Sequence, residues 1–317
     1  MAKKISLLVY GLSILNDKNE RVCMNCLNRK TSFIDAIETY ISKNQLKYSQ
    51  DSSKEVLFQF EKFEKEEVKN EADQIEYRVI YGRVKTGEFG IESELVNIKT
   101  REVTNRTKEQ ADMLPFGFCI AIPAGEVDSA ILIVQTMGTY GMKMSLQNHL
   151  QKSLAEIDPT FYLLLRSVAP KEYIDRYFKN GILKKIRMLR YEIPEDESNR
   201  MGINYGVKRT KEERIIHSPI GFLERRKKEI SEWRAGQRSY TKIIEIEGFE
   251  YDDLKLEFSL GSTNKTFNLK ELENIVVNED ITDKVEQNGG NPIFDSLKSV
   301  MKDTAKEYLI GMGLLVE

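Results

Sequence analysis

Histidine and cysteine are scarce in this chain: two and three residues in 317. Three cysteines spread over so long a chain do not build a disulfide framework. Material for a four-ligand zinc site is also missing. Cys23 and Cys26 form a CxxC without a second one, and Cys119, His149 and His217 lie far apart without partner spacing. Long hydrophobic runs are absent, and nothing approaches the roughly 20 apolar residues needed to span a bilayer. The opening MAKKISLLVYGLSIL breaks into NDKNER with no small-residue cleavage site, so it reads as a strand rather than a signal peptide. The expected location is the cytoplasm. Glycine-rich phosphate loops are missing too. Gly138 and Gly141, in GTYGMK, make neither GxGxxG nor GxxxxGK[ST]. A helix starting there would still present an anion-attracting end, though a plain turn accounts for the glycines. No internal repeat and no low-complexity segment occurs.

What is present is a mixture of strands and scattered helices. Ile5–Leu15 predicts a strand and NDKNER a turn. Apolar residues at helical spacing predict a helix over 31–43, with Thr31 or Ser32 as its N-cap. Residues 56–60 read as strand, and the charged stretch 61–71 as a linker. Residues 77–84 and 89–98 read as a pair of strands turning at Lys85, Thr86 and Gly87. FGFCIAIP and AILIVQ read as two buried central strands flanking AGEVDS. Then come a helix over 142–157, with Met144, Leu146, Leu150 and Leu154 inward, a strand over 161–168 and a helix over 170–179. Gly181 caps that helix before a strand over 182–191. A loop over 194–201, a charged extended segment over 207–217 and a charged helix over 221–234 follow. A hairpin across 261–265 precedes an amphipathic helix over 292–314, with Phe294, Leu297, Val300, Met301 and Leu309 inward. The order argues an α+β fold with mainly antiparallel sheet, scattered helices and an amphipathic C-terminal helix. Composition places a domain boundary between 1–157 and 158–317.

Charge is unevenly placed. The chain carries a formal net charge of -2, yet residues 161–242 hold 20 Lys/Arg against 11 Asp/Glu, a net charge of +9 that leaves -11 elsewhere. A local positive field of this kind attracts polyanions. Three clusters carry it: Lys184, Lys185, Arg187 and Arg190; Lys208, Arg209, Lys211 and Arg214; and Arg225, Arg226, Lys227 and Lys228. Such residues displace counterions from a phosphate backbone. Tyr191, Tyr205, Trp233 and Tyr240, interleaved among them, offer rings for base stacking. Opposing this, Glu212, Glu213, Glu224, Glu229 and Glu232 sit among the bases and can neutralise them. On a helix, Phe222, Leu223, Ile230 and Trp233 form one stripe. Arg226 then falls within the stripe, Lys227 at its border, and Arg225 and Lys228 point to solvent.

Other chemistry has less material. The acids Glu245, Glu247, Glu250, Asp252 and Asp253, with Lys255 and with Asp128 upstream, are the ingredients of a metal-dependent nuclease. An acidic solvent-facing strand explains them as well. The CxxC suits one metal or a redox pair but lacks a second ligand pair. Cys119, in a buried strand, reads as a core residue rather than a nucleophile paired with His149 or His217.

The order of elements over residues 110–317 is an apolar strand pair, a helix, a strand ending in RSVAPK, a short helix, a basic strand, a charged segment, a late hairpin and an amphipathic helix. It resembles the layout of the phage lambda exclusion protein RexA and of the DNA-binding subunit of the Kiwa phage-defence system. The resemblance implies a cytoplasmic, homo-oligomeric, DNA-binding protein of bacterial antiphage defence, acting with a second protein and without catalysis, cofactor or metal of its own. DNA is favoured over RNA. The alternatives are the nuclease and a regulatory subunit whose basic face meets an acidic partner.

Overall fold

A computed structural model describes residues 3–28, 31–51, 54–169, 171–191, 211–247, 249–260, 263–270 and 277–315. The fold is α+β with antiparallel sheets. It divides into two compact units: residues 1–168 with 276–317, and residues 169–275. The second is an insertion in the first, in place of the expected break at 157/158. The reason is long-range pairing that composition does not reveal. Strand β1 (Ile5–Leu15) shares one edge between two partners. Strand β10 (Tyr162–Ser167) pairs with its second half, and β15 (Asn278–Asp280) with Ser6 to Leu8.

The first unit is built on one sheet, in the order β10, β1, β8 (Ala130–Met137), β7 (Leu114–Pro123), β4 (Ile75–Glu88), β3 (Val56–Lys69), β2 (Tyr48–Asp51). Strands β7 and β8 are buried almost throughout, because helices cover both faces. On one face lie α1 (Phe33–Asn44) and α2 (Lys143–Ala155); on the other lies α6 (Phe294–Gly311). Ser32 caps α1, its hydroxyl accepting from the Asp35 amide. Gly117 is glycine because a Cβ there would run into Leu297 of α6. A short separate hairpin joins β5 (Ser93–Val96) to β6 (Val103–Arg106). No helix among the described residues is long and apolar enough to cross a membrane.

The charged stretch 61–71 is no linker. Strand β3 runs on to Lys69, and its alternating charges meet opposite charges on the two faces. Lys65 reaches Asp35 and Glu38 of α1, each at 2.6 Å, while Glu64 and Glu66 reach Lys298 of α6. The expected turn at Lys85–Gly87 is also overturned: β4 continues through it to Glu88, pairing with β3 and β7. Met144 is exposed rather than inward, and Val300 is only half-buried. The expected loop over 194–201 lies outside the described residues.

His149 of α2 is a core residue. It stacks on Phe58 with centroids 4.4 Å apart. Its Nδ1 meets the Tyr40 hydroxyl and its Nε2 the Ser49 hydroxyl, both at 2.9 Å. Tyr40 has no other acceptor among the described residues, so its O–H donates to Nδ1 and the ring proton sits on Nε2. Ser49 then accepts from Nε2 and donates to the Phe58 carbonyl. A histidine protonated on that nitrogen is no base for Ser49. Burial pushes His149 down to about 4. The unfolded imidazole takes up a proton near pH 6.5 while the folded one does not. The stability due to this residue is therefore complete above pH 6.5 and is lost as pH falls toward 4, by about 3 kcal/mol. Urea titrations between pH 7 and pH 4 should show this fall in the wild type, and a flatter profile in His149→Gln.

Candidate nucleic-acid interface

The insertion has its own four-stranded antiparallel sheet, in the order β12 (Glu212–His217), β11 (Ile182–Arg190), β13 (Asp253–Leu260), β14 (Thr263–Asn268). Helix α3 (Lys171–Asn180) packs on one face, with Phe178 against Phe258 and Phe267, and Tyr177 against Phe267. Alternation along β11 sends Ile186 and Met188 to that face and Lys185 and Arg187 to the other. Directly opposite Arg187 on this second face stands Lys255, and opposite Lys185 stands Glu257. Lys255 joins the basic face unforeseen. Its signal was the alternation in DLKLEF, where Leu254, Leu256 and Phe258 are buried. Lys184 falls at a register shift between Leu183 and Lys185.

Most of the expected phosphate-binding residues are held by acids. Lys185 pairs with Glu257 at 3.3 Å and Arg187 with Glu213 at 2.6 Å. The Arg187 hydrogen bond holds the Glu213 carboxyl below its usual range. Arg190 is buried, pairs with Glu212 and lies over the Phe249 ring. Arg214 shares Glu212 at 3.3 Å and stands 3.8 Å from the centroid of the same ring. Arg190 thereby belongs to the core of the unit, a role its exposed-looking sequence did not signal, whereas Arg214 stays exposed. Beyond them, Arg234 pairs with Asp175 and Arg238 with Glu232. Lys208, Arg209 and Tyr205 lie outside the described residues.

The charged helix over 221–234 is two helices, α4 (Phe222–Arg225) and α5 (Lys227–Arg234), with Arg226 between them in a non-helical conformation. That break lifts Arg226 out of the apolar stripe. It is exposed and pairs with Glu229 at 2.9 Å. Lys228 is 84% exposed and only loosely paired with Glu232 at 3.8 Å. Lys184, Lys211, Arg225 and Lys227 are exposed and make no ion pair among the described residues. The N-cap residue of α5, Arg226, provides no side-chain cap, and the first turn carries Lys227 and Lys228, which the helix dipole disfavours, beside Glu229, which it favours.

The folded boundary also changes the charge. Residues 169–275 hold 22 Lys/Arg and 19 Asp/Glu, a net charge of +3. Acids from 245–257, beyond the basic segment in sequence, fold back among its bases. They also serve the fold itself: Glu245 pairs with Lys242, Asp252 accepts from the Tyr191 amide at 2.7 Å, and buried Asp253 accepts from the Tyr191 hydroxyl. Among the described residues, no group of three His, Cys, Asp or Glu side chains is placed to hold a metal ion. The aromatic residues are similarly engaged. Trp233 leans on Phe178, and the Tyr240 hydroxyl donates to the Asp252 carbonyl.

The cysteines are free thiols, with Cys23 half-buried and Cys26 exposed. Cys119 is buried, and burial pushes its thiol well above the usual range. It shares the α6 face of β7 with Tyr81, whereas His149 lies on the opposite face beside Phe60. No protein-family model and no curated protein matches the chain.

Removing one partner of a buried ion pair leaves an uncompensated charge. Glu212→Gln, which takes one charged partner from buried Arg190, should lower stability in chemical denaturation, and Arg190→Met, which removes the buried charge itself, should lower it less. Equal losses would show that Arg190 acts through packing. Cys23→Ser with Cys26→Ser should leave both the melting temperature and the metal content of the purified protein unchanged, since a closed site needs four ligands.

Proposed function

We propose that the chain binds nucleic acid, duplex DNA in particular, without catalysing a reaction on it. The contact is the cationic end of α5 with Lys184 and Lys211 as further phosphate contacts. One observation carries this reading. Arg225 at the end of α4, Arg226 between the helices, and Lys227 and Lys228 at the start of α5 stand exposed in one run, and Arg225 and Lys227 lack acidic partners among the described residues. Lys227 and Lys228 are unfavourable for the helix they open, yet they add to the positive end of its dipole, where a phosphate is stabilised. The layout resemblance supports placing this activity in bacterial antiphage defence, in the cytoplasm, with a homo-oligomer working beside a second protein. The paired bases of β11 and β12 belong to the fold and are not part of the contact.

Counting only the four cations without acidic partners among the described residues, Lys184, Lys211, Arg225 and Lys227, about four phosphate contacts give a salt slope near -3.6, so duplex affinity should fall roughly 100-fold from 50 to 200 mM salt. Fluorescence anisotropy with random-sequence duplexes measures this. Arg225→Glu with Lys227→Glu should leave the melting temperature nearly unchanged, because neither cation is ion-paired. The same change should weaken binding and flatten the salt slope by about two. A folded double variant with undiminished affinity would refute the assignment to α5. Absence of binding at 50 mM salt would refute DNA binding itself and favour an acidic protein partner.

A further inference from the structure

A cavity of about 620 Å³ opens in the first unit, where β1, β4, β7 and β8 meet the start of α2. Its polar lining is incomplete. Tyr10 and Thr86 are 5% and 8% exposed, and neither hydroxyl has a hydrogen-bond partner among the described residues. Arg106 donates from Nη2 to the Glu88 carbonyl at 3.2 Å, but its Nε is buried with no partner. Buried polar groups in folded proteins are nearly always paired. Arg106 Nε is such an unpaired buried group, and the unpartnered hydroxyls of Tyr10 and Thr86 belong to residues that line the same cavity.

The start of α2 closes the cavity on another side. Met142, the N-cap residue, supplies no side-chain cap, and the first turn holds no acid. The first three amides of α2, on Lys143, Met144 and Ser145, therefore lack intrahelical acceptors, and all three residues line the cavity. Lys143 adds a cation, its Nζ 4.4 Å from the Tyr10 ring centroid. Amides, helix dipole and ammonium together favour an anion there. The remaining wall includes Phe116 and the Tyr10 ring, and the volume is that of a site for a small organic ligand. Exposed Glu88 and Asp112 also line the cavity. Their carboxylates accept hydrogen bonds from hydroxyl or amino groups and disfavour a ligand carrying many negative charges.

We propose that this cavity binds a phosphate monoester with a ring-bearing body, of nucleoside-monophosphate size. The phosphate sits on the first turn of α2 and Lys143, and the ring lies against Tyr10 and Phe116. Tyr10, Thr86 and Arg106 donate to its polar atoms. The site lies wholly within the first unit and shares no residue with the proposed DNA contact, so each reading can fail without the other.

Isothermal titration of the full chain with AMP, GMP, CMP and UMP, and with adenosine and inorganic phosphate as controls, tests this. At least one monophosphate should bind about tenfold tighter than either control. Ser145→Asp places a carboxylate where the phosphate would sit and suits the helix dipole, so it should keep the fold and weaken binding about tenfold or more. Tyr10→Phe, which removes only the unpartnered hydroxyl, should weaken it about threefold to tenfold. Failure of every monophosphate to bind at millimolar concentration would overturn the proposal. So would inorganic phosphate or adenosine binding as tightly, or a folded Ser145→Asp protein with unchanged affinity.

Discussion

Every backbone amide and carbonyl in a buried strand needs a partner, and in this molecule that requirement falls hardest on β1. One edge is taken along most of its length by β8. The other is completed in two pieces, β15 near the start and β10 beyond it. Leu8 faces Asn278 and Tyr10 faces Ser167. The chain thus leaves the sheet and returns to it about 7 Å apart along one strand, at roughly 3.3 Å per residue. Everything between becomes an insertion with a sheet and core of its own, and the last helix is free to cover β7 and β8.

Charge in this molecule is used mainly within the fold. On β3, alternation by two sends Lys65 toward α1 and Glu64 and Glu66 toward α6, so a strand of low hydrophobicity is fastened on both sides. In the insertion, acids distant in sequence are brought among the bases of β11 and β12. Exposed pairs of this kind add little stability one by one. Their larger effect is to cancel the field that the raw count of lysines and arginines promises. What survives the cancellation among the described bases is Lys184, Lys211, Arg225 and Lys227, the last two on either side of the break between α4 and α5.

The elements that were legible in the sequence are those whose burial and period agree. FGFCIAIP and AILIVQ are continuous apolar runs because helices cover both faces, and Ser32 announced α1 through its capping chemistry. Residues 61–69 were illegible because their charges are satisfied by partners that local sequence cannot place, on α1 and α6 for Lys65, Glu64 and Glu66 and on β4 for Glu61 and Glu67. The passage of β4 through Thr86 and Gly87 was hidden by residues that usually turn. Of the twelve basic residues, the exposed character of Arg225 and Lys228 followed from helical spacing. The burial of Arg190 did not, since it depends on Phe249 and Glu212 arriving from other segments. Arg226 was misplaced because the pattern assumed one unbroken helix.

The late completion of β1 has a consequence for synthesis. Ile5 and Thr282, joined by a hydrogen bond at 3.0 Å, are 277 positions apart in the chain. Contacts of such separation are slow to form and leave strand edges uncovered while they wait. On the ribosome, β1 emerges before the other strands of its sheet, yet the segment that completes its edge emerges only after the whole insertion has been made. The insertion can close its own core before that moment, whereas the older, larger sheet must stay open. The first strand to appear is therefore among the last to be sealed.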